Sequence, residues 1–434
     1  METPRCCDSG VDIHEMTCLP DRCINFDYLN ITRRLLLKSL LLSHYTATSC
    51  LGRGLQQTLE ALRLGRSGLA PCTFETVALD TFAGEVAGVD AVKLPERLSE
   101  FDCRNNRLAQ LALEQDDFST VVDIAAARYG RDRIGVFVGT STSGILQTEL
   151  AYRHRDPASG ALPADFHYAA THNTFSVADF TRRYLNLTGP AVALSSACSS
   201  SAKVFGSAQR MMAAGLIDAA VVGGVDSLCL TVLYGFNALG LTSTRPCRPF
   251  DAARDGISIG EAGAFALLES ATEVHEGDVL LLGVGESSDA YHMSSPHPQG
   301  TGARMAMQAA LDSAGLLARD IDYINLHGTA TQSNDAAEGM AVNAIFGDRV
   351  PCSSTKAATG HTLGAAGSIE AVICALALRY RLLPGGLNIG QLDPGIALDY
   401  LTANRSHPIM RAMSNSFGFG GTNCSLIFGR AQSQ

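Results

Sequence analysis

Short apolar runs closed by glycine or small polar residues alternate along the chain with stretches whose apolar positions recur every three or four residues. The first pattern belongs to strands, buried on both faces where the run is apolar throughout, and the second to amphipathic helices. Strands are predicted at 134–138, 191–194, 219–225, 262–268 and 279–283, then at 321–326, 351–354, 409–413 and 422–428. Helices are predicted at 54–64, 108–115, 177–185, 303–315, 335–345 and 365–380, and another opens at Cys198 and runs through Ala208, Met212 and Leu216. Part of 33–43 reads as a first buried strand. The βα grammar is spoken twice with no Pro/Ser-rich linker between, so the fold class is α/β: two similar halves, 35–285 and 286–430, packed as one body.

Composition narrows the partners. The 434 residues carry a net charge of -10, which argues against a general nucleic-acid binder but leaves room for a local basic patch. Thirteen cysteines, scattered mainly through apolar segments, fit reduced thiols in a cytosolic protein better than a disulfide framework. Residues 1–34 differ from the rest: Cys6, Cys7, Cys18 and Cys23 lie among polar residues without a period, and a poorly ordered extension is expected there. The segment 33–43 has the look of a signal peptide, but Lys38 splits its apolar run and it starts too far into the chain. No run approaches the roughly 20 apolar residues of a membrane span.

Chemistry gathers at four strand ends. The run ending in Leu194 leads through Ser-Ser-Ala to Cys198 at the start of a helix, where the helix dipole and unpaired backbone N–H groups favour thiolate. His327-Gly-Thr-Ala-Thr331 follows a second apolar strand as a tight, hydroxyl-bearing loop. Ser353-Ser-Thr-Lys-Ala-Ala-Thr-Gly-His361 sets Lys356 and His361 among small residues, which implies a crowded pocket. Asn415-Ser-Phe-Gly-Phe-Gly-Gly-Thr-Asn423 joins glycines able to flex with Phe417 and Phe419 able to close over something.

The four in this order resemble the β-ketoacyl-[acyl-carrier-protein] synthases, the elongating condensing enzymes of the thiolase superfamily. Asp251-Ala-Ala-Arg-Asp-Gly256, Gly260-Glu-Ala-Gly263 and Asp289-Ala-Tyr-His-Met-Ser-Ser-Pro296 agree, and the resemblance spans about 35–430. It implies a thiolase-like fold layered α-β-α-β-α and an acyltransferase. Such an enzyme holds an acyl chain as a thioester on Cys198 and condenses it with malonyl carrier protein, losing CO2, in fatty acid elongation. The alternative is a type II polyketide or aryl-polyene ketosynthase working with a related subunit. A biosynthetic thiolase, a chain-length factor without a nucleophile and a carrier-binding scaffold are the remaining readings, and each leaves part of the set unexplained.

By the same resemblance His327 and His361 donate hydrogen bonds to the malonyl thioester oxygen, Lys356 orients them and Glu370 holds Lys356. The backbone N–H groups of Cys198 and Phe419 form an oxyanion hole, a device worth roughly 3 kcal/mol per donor. Thr329 and Thr331 grip the phosphopantetheine arm, Phe419 gates the site and with Gly420 binds substrate, and Phe236 and Ile257 line the acyl pocket. No metal and no resident cofactor are implied, since the arm arrives on acyl carrier protein. Carrier proteins are acidic, so Arg104, Arg107, Arg182 and Arg183 are docking candidates. A dimer is implied, with an identical or a related partner, in the cytosol and without nucleic acid or membrane. Three departures stand out: Ser43-His-Tyr-Thr46 in place of a glycine-rich turn, Ile257 in place of Phe, and a polar His172-Asn-Thr-Phe-Ser176 at the far pocket end.

Overall fold

A computed structural model describes residues 39–432, so the expected N-terminal extension over 1–34 lies outside the described residues. Five strands come from the first half: β1 (Leu40–Ser49), β2 (Ile134–Gly139), β3 (Ala191–Leu194), β4 (Ala219–Asp226) and β5 (Ala262–Ser270). Five come from the second: β6 (Val279–Ser288), β7 (Tyr323–Asn325), β8 (Cys352–Ser353), β9 (Arg411–Gly418) and β10 (Thr422–Arg430). They run in the order β8-β7-β9-β10-β6-β1-β5-β4-β2-β3. Among the described residues the two sets of strands pair through Leu40 opposite Leu281 and Leu41 opposite Leu280.

Outward from that seam the two sides repeat each other. β1 pairs antiparallel with β5, β5 antiparallel with β4, and β4 and β3 lie parallel to β2. β6 pairs antiparallel with β10, β10 antiparallel with β9, and β9 and β8 lie parallel to β7. Even the register shifts correspond, between Leu42 and His44 on one side and between Leu281 and Gly283 on the other. Because β6 belongs wholly to the second set, the junction expected at 285/286 falls inside a strand. The structure moves it to the connection at 271–278.

The outer layers include α1 (Arg104–Leu113) against β5 and α3 (Thr301–Ala314) against β6 and β10. Between the two sheet halves lie α2 (Ser200–Ala213) and α5 (Ala366–Tyr380), which pack on each other and touch strands of both sets. Small residues allow this closeness: a Cβ on Gly367 would stand 2.5 Å from the Ala202 backbone nitrogen. The stretch Leu363–Tyr380 is long and apolar enough to cross a membrane by composition, which the sequence reading missed. It is 89% buried inside the protein, as the helix of a core must be. The remaining helix used below, α4 (Gln332–Phe346), follows β7.

The first described strand, Leu40–Ser49, takes up the end of the 33–43 segment, in keeping with the reading of part of it as a strand. Two differences from expectation remain. α1 starts at Arg104 and not at 108, with Arg104, Asn105 and Asn106 buried and Arg107 half-buried. Helices Phe118–Tyr129, Ile145–Arg153 and Leu230–Ala238 had no clear period, and each buries only a few side chains.

Candidate active site

β3 ends at Leu194, and the chain turns through Ala197 at φ 51° before α2 starts at Ser200. A left-handed alanine is strained, and such strain persists only where the surroundings over-determine it. Here the turn is pinned by Ser196 N–H donating to Ser200 Oγ (2.9 Å) and by the Ser200 hydroxyl donating to Ala197 O (2.5 Å). Cys198 thus stands just ahead of the helix cap, 6% exposed, with its sulfur in the cavity.

Burial, however, outweighs the helix terminus. It pushes the Cys198 thiol up to about 11, while Lys356 and the Phe419 backbone N–H pull it down. The expectation that the helix terminus favours thiolate is therefore corrected: burial keeps the group a thiol at neutral pH. His361 Nε2 lies 3.0 Å from that sulfur. Burial, reinforced by Lys356, holds both His361 and His327 well below the usual imidazole range, so both rings are neutral.

The two rings differ in what fixes them. Lys356 Nζ donates to His327 O (2.6 Å), faces His327 Nδ1 at 3.3 Å and is paired with Glu370. A lysine ammonium is a donor only, so His327 Nδ1 must accept and its proton sits on Nε2. His327 then presents a fixed N–H donor to the cavity. The ligand atoms of Cys198, His327 and His361 lie within 4.8 Å of one another. With Nε2 protonated, His327 has no lone pair there for a metal ion. His361 Nδ1 has no partner, so nothing fixes its tautomer. It can accept the thiol proton at Nε2 or, protonated there, donate to an oxygen in the cavity.

The Lys356–Glu370 pair is deeply buried, Glu370 projecting from the apolar α5. Burial raises the Glu370 carboxyl to about 7 despite the lysine. A second buried carboxylate, which sequence reading missed, sets the His327 loop. Glu338 on α4 accepts from His327 N (2.8 Å) and Gly328 N (2.7 Å), and burial raises it to about 7 as well. Its signal was present as an acidic residue placed to face the loop before the helix, but helix burial had to be known to read it.

A cleft of about 590 Å³ opens on Cys198, His327 and His361. Thr329, Thr331, Phe236, Ile257 and Phe419 line it. The Phe236 and Phe419 rings stand 5.5 Å apart. The Thr329 and Thr331 hydroxyls are 2.9 Å apart, and Thr331 also caps α4 at Asn334 N (3.3 Å). Gly420 departs from expectation: it is exposed and its N–H donates to Met293 O (2.7 Å), while its neighbours Gly418 and Gly421 line the cleft.

Of the four docking arginines, Arg104 is excluded. It is 4% exposed, held by Glu261 (2.6 Å), Asp90 (2.6 Å) and Glu85 (3.2 Å), so no partner can reach it. Arg107 is paired with Asp102 (2.5 Å), and Arg182 (2.5 Å) and Arg183 (2.9 Å) share Asp179. An exposed cation that sequence reading passed over, Arg245, follows closely after the cleft-lining Leu241.

The sequence matches the β-ketoacyl synthase N-terminal domain over residues 46–273 and the β-ketoacyl synthase C-terminal domain over 279–390. It is 33% identical over 408 residues to 3-oxoacyl-[acyl-carrier-protein] synthase 2 of Vibrio cholerae, spanning 88% of this chain and 96% of that one. A second 3-oxoacyl-[acyl-carrier-protein] synthase 2, from Rhizobium meliloti, is 42% identical over 260 residues, 56% of this chain and 62% of the relative. Among solved structures, the ketosynthase ApeO in complex with its chain length factor ApeC from Xenorhabdus doucetiae superposes with a TM-score of 0.82. It is 40% identical, covering 91% of this chain and 98% of that one. A twice-repeated half-sheet, a buried cysteine facing two neutral histidines, and domain matches on both sides of the 271–278 junction agree: the chain belongs to the β-ketoacyl synthase family.

Proposed function

We propose that the protein is an acyltransferase that performs decarboxylative condensation, with Cys198 carrying the growing chain. The observation that carries this is the convergence of one thiol and two neutral imidazoles on a single cleft, one imidazole locked as a donor. In the first step the Cys198 sulfur attacks an acyl thioester delivered on a carrier protein's phosphopantetheine arm. The thiol proton passes to His361 Nε2 and on to the departing pantetheine sulfur, and the backbone N–H groups of Cys198 and Phe419 receive the developing oxyanion. In the second step malonyl carrier protein loses CO2, and the electron pair of the broken C–C bond becomes an enolate. His327 and His361 donate to its oxygen. The carbanion carbon attacks the Cys198 thioester, β-ketoacyl carrier protein forms, and the cysteine sulfur leaves and is reprotonated. Thr329 and Thr331 lie along the cleft where the arm would run, and no resident cofactor is needed.

Fatty acid elongation is the reading that the synthase relatives favour. The aryl-polyene or polyketide reading draws on the ApeO likeness and on the polar 172–176 segment. Either places the enzyme in the cytosol, in keeping with nine free cysteines among the described residues. β3 ends the sheet with every residue half-buried, and such an edge invites a second subunit, identical or related. Arg107, Arg182, Arg183 and Arg245 are the remaining cations proposed to meet acyl carrier protein. The test is intact-mass analysis after incubation with mixed acyl carrier proteins. An acyl adduct on wild type and none on Cys198→Ala is expected, and an adduct that survives in Cys198→Ala refutes the assignment. Saturated adducts support elongation; polyunsaturated or aryl-primed ones support the second reading.

A further inference from the structure

Asp226, the last residue of β4, is wholly buried, and its carboxylate has no part in the steps above. It gathers an unusual number of donors. The Thr140 hydroxyl (2.6 Å), Ser141 N (2.9 Å), the Ser141 hydroxyl (2.5 Å), Thr142 N (2.9 Å) and the Thr142 hydroxyl (2.8 Å) all come from the loop after β2. The remaining donor comes from the other half of the molecule: Gly364 N, at 2.6 Å. That contact is tightly made. A Cβ on residue 364 would stand 2.7 Å from Asp226 Oδ2 and from Ser141 N, so only glycine lets the segment approach. Ser141 Oγ also accepts from Gly364 N (3.1 Å), doubling the tie.

Gly364 closes the turn that begins at His361, through Leu363 at φ 53°. His361 has no partner on Nδ1 to hold its ring, unlike His327 with Lys356. Its place is therefore set by its backbone. Before the turn, His361 N donates to Ser258 O (2.7 Å) and Gly260 N donates to His361 O (3.0 Å). After it, the anchor is Asp226. We infer that Asp226 is a positioning residue for His361: by clamping Gly364 to the 140–142 loop it keeps His361 Nε2 within reach of the Cys198 sulfur across the junction of the halves. The inference rests on the condensing reading only for the role of His361 in turnover; the geometry it asserts is independent of the substrate.

The test uses the full-length protein and iodoacetamide, reading the pH profile of Cys198 alkylation. Asp226→Asn turns an acceptor into a donor facing Ser141 N and Gly364 N. Its profile is expected to converge on that of His361→Ala, with condensation lowered roughly 10- to 100-fold, the range for a catalytic group displaced by about 1 Å. Removing the Asp226 charge acts on the thiol by itself, so the double variant decides. If Asp226 works through His361, Asp226→Asn shifts the profile in His361→Ala by the direct charge effect alone, unlike its shift in wild type, and lowers the rate no further. Equal shifts in both backgrounds overturn the inference, as does a wild-type profile in folded Asp226→Asn. Should Asp226→Asn not fold, Ser141→Ala removes one donor to the carboxylate and the second acceptor for Gly364 N. A partial shift toward the His361→Ala profile is expected, and no shift refutes the proposal. A protein that alkylates as predicted yet condenses nothing would leave this inference standing and sink the condensing reading.

Discussion

The two halves share one strand order and place different chemistry at equivalent strand ends. After its second strand the first half carries the Thr140-Ser141-Thr142 loop, and the second half carries His327. After the third strand one half offers Cys198 and the other Lys356 and His361. At the end of the fourth, one offers Asp226 and the other Phe419. The first half thus supplies the proposed nucleophile and clamp, while both imidazoles and the lysine beside them come from the second. A duplicated scaffold leaves each loop free to specialise, because α2 and α5 fix the distance between the strand ends whatever the loops contain.

The sharpest way to break the comparison is to disable equivalent positions. His327→Ala removes a preorganised donor and should lower malonyl decarboxylation roughly 10²- to 10³-fold while acylation of Cys198 continues. Thr140→Val, at the matching strand end, takes one hydrogen bond from Asp226 and should lower it far less. Equal losses, measured as labelled CO2 release, would erase the division of labour.

Next in size is a stability effect confined to the first half. Arg104→Met strands the buried Glu261 carboxylate and should cost about 3 kcal/mol in denaturant unfolding, the lower end for a broken buried pair. The KM for carrier protein should stay unchanged; a raised KM with full stability would restore Arg104 to the docking surface.

The pH dependence is a further test. With the Cys198 thiol held up to about 11, its thiolate fraction grows about tenfold per pH unit below that value. Alkylation of the free enzyme should therefore still be climbing above pH 9, and a plateau by pH 8 would return the advantage to the helix terminus. Smallest is the rim: Arg183→Glu, already engaged with Asp179, should raise the carrier-protein KM by only about two- to threefold, more at low salt.

Much of this was legible in the chain. Apolar runs bounded by small residues marked the ten strands named above, at least in part, and most plainly β2, which is buried throughout and has no polar positions to blur it. The thiol and the two imidazoles that line the cleft stood at strand ends among small residues, but it was their order along the chain, resembling a known family, that singled them out. What the chain could not show was any quantity set by neighbours distant in sequence. The thiol's protonation follows from its burial, in a cleft lined by residues far apart in sequence. Arg104 looked like a surface cation in a polar stretch and became a buried one because Glu261 lies opposite it across the packing of α1. The boundary of the halves was misplaced within β6 because a strand's sheet membership is decided by its partner, β10, near the far end of the chain. The tautomer of His327, the free Nδ1 of His361 and the clamp at Asp226 likewise belong to the tertiary structure. Residue type and spacing determined what chemistry was available; burial and long-range hydrogen bonding, which no local pattern encodes, decided which groups carry protons and which hold still.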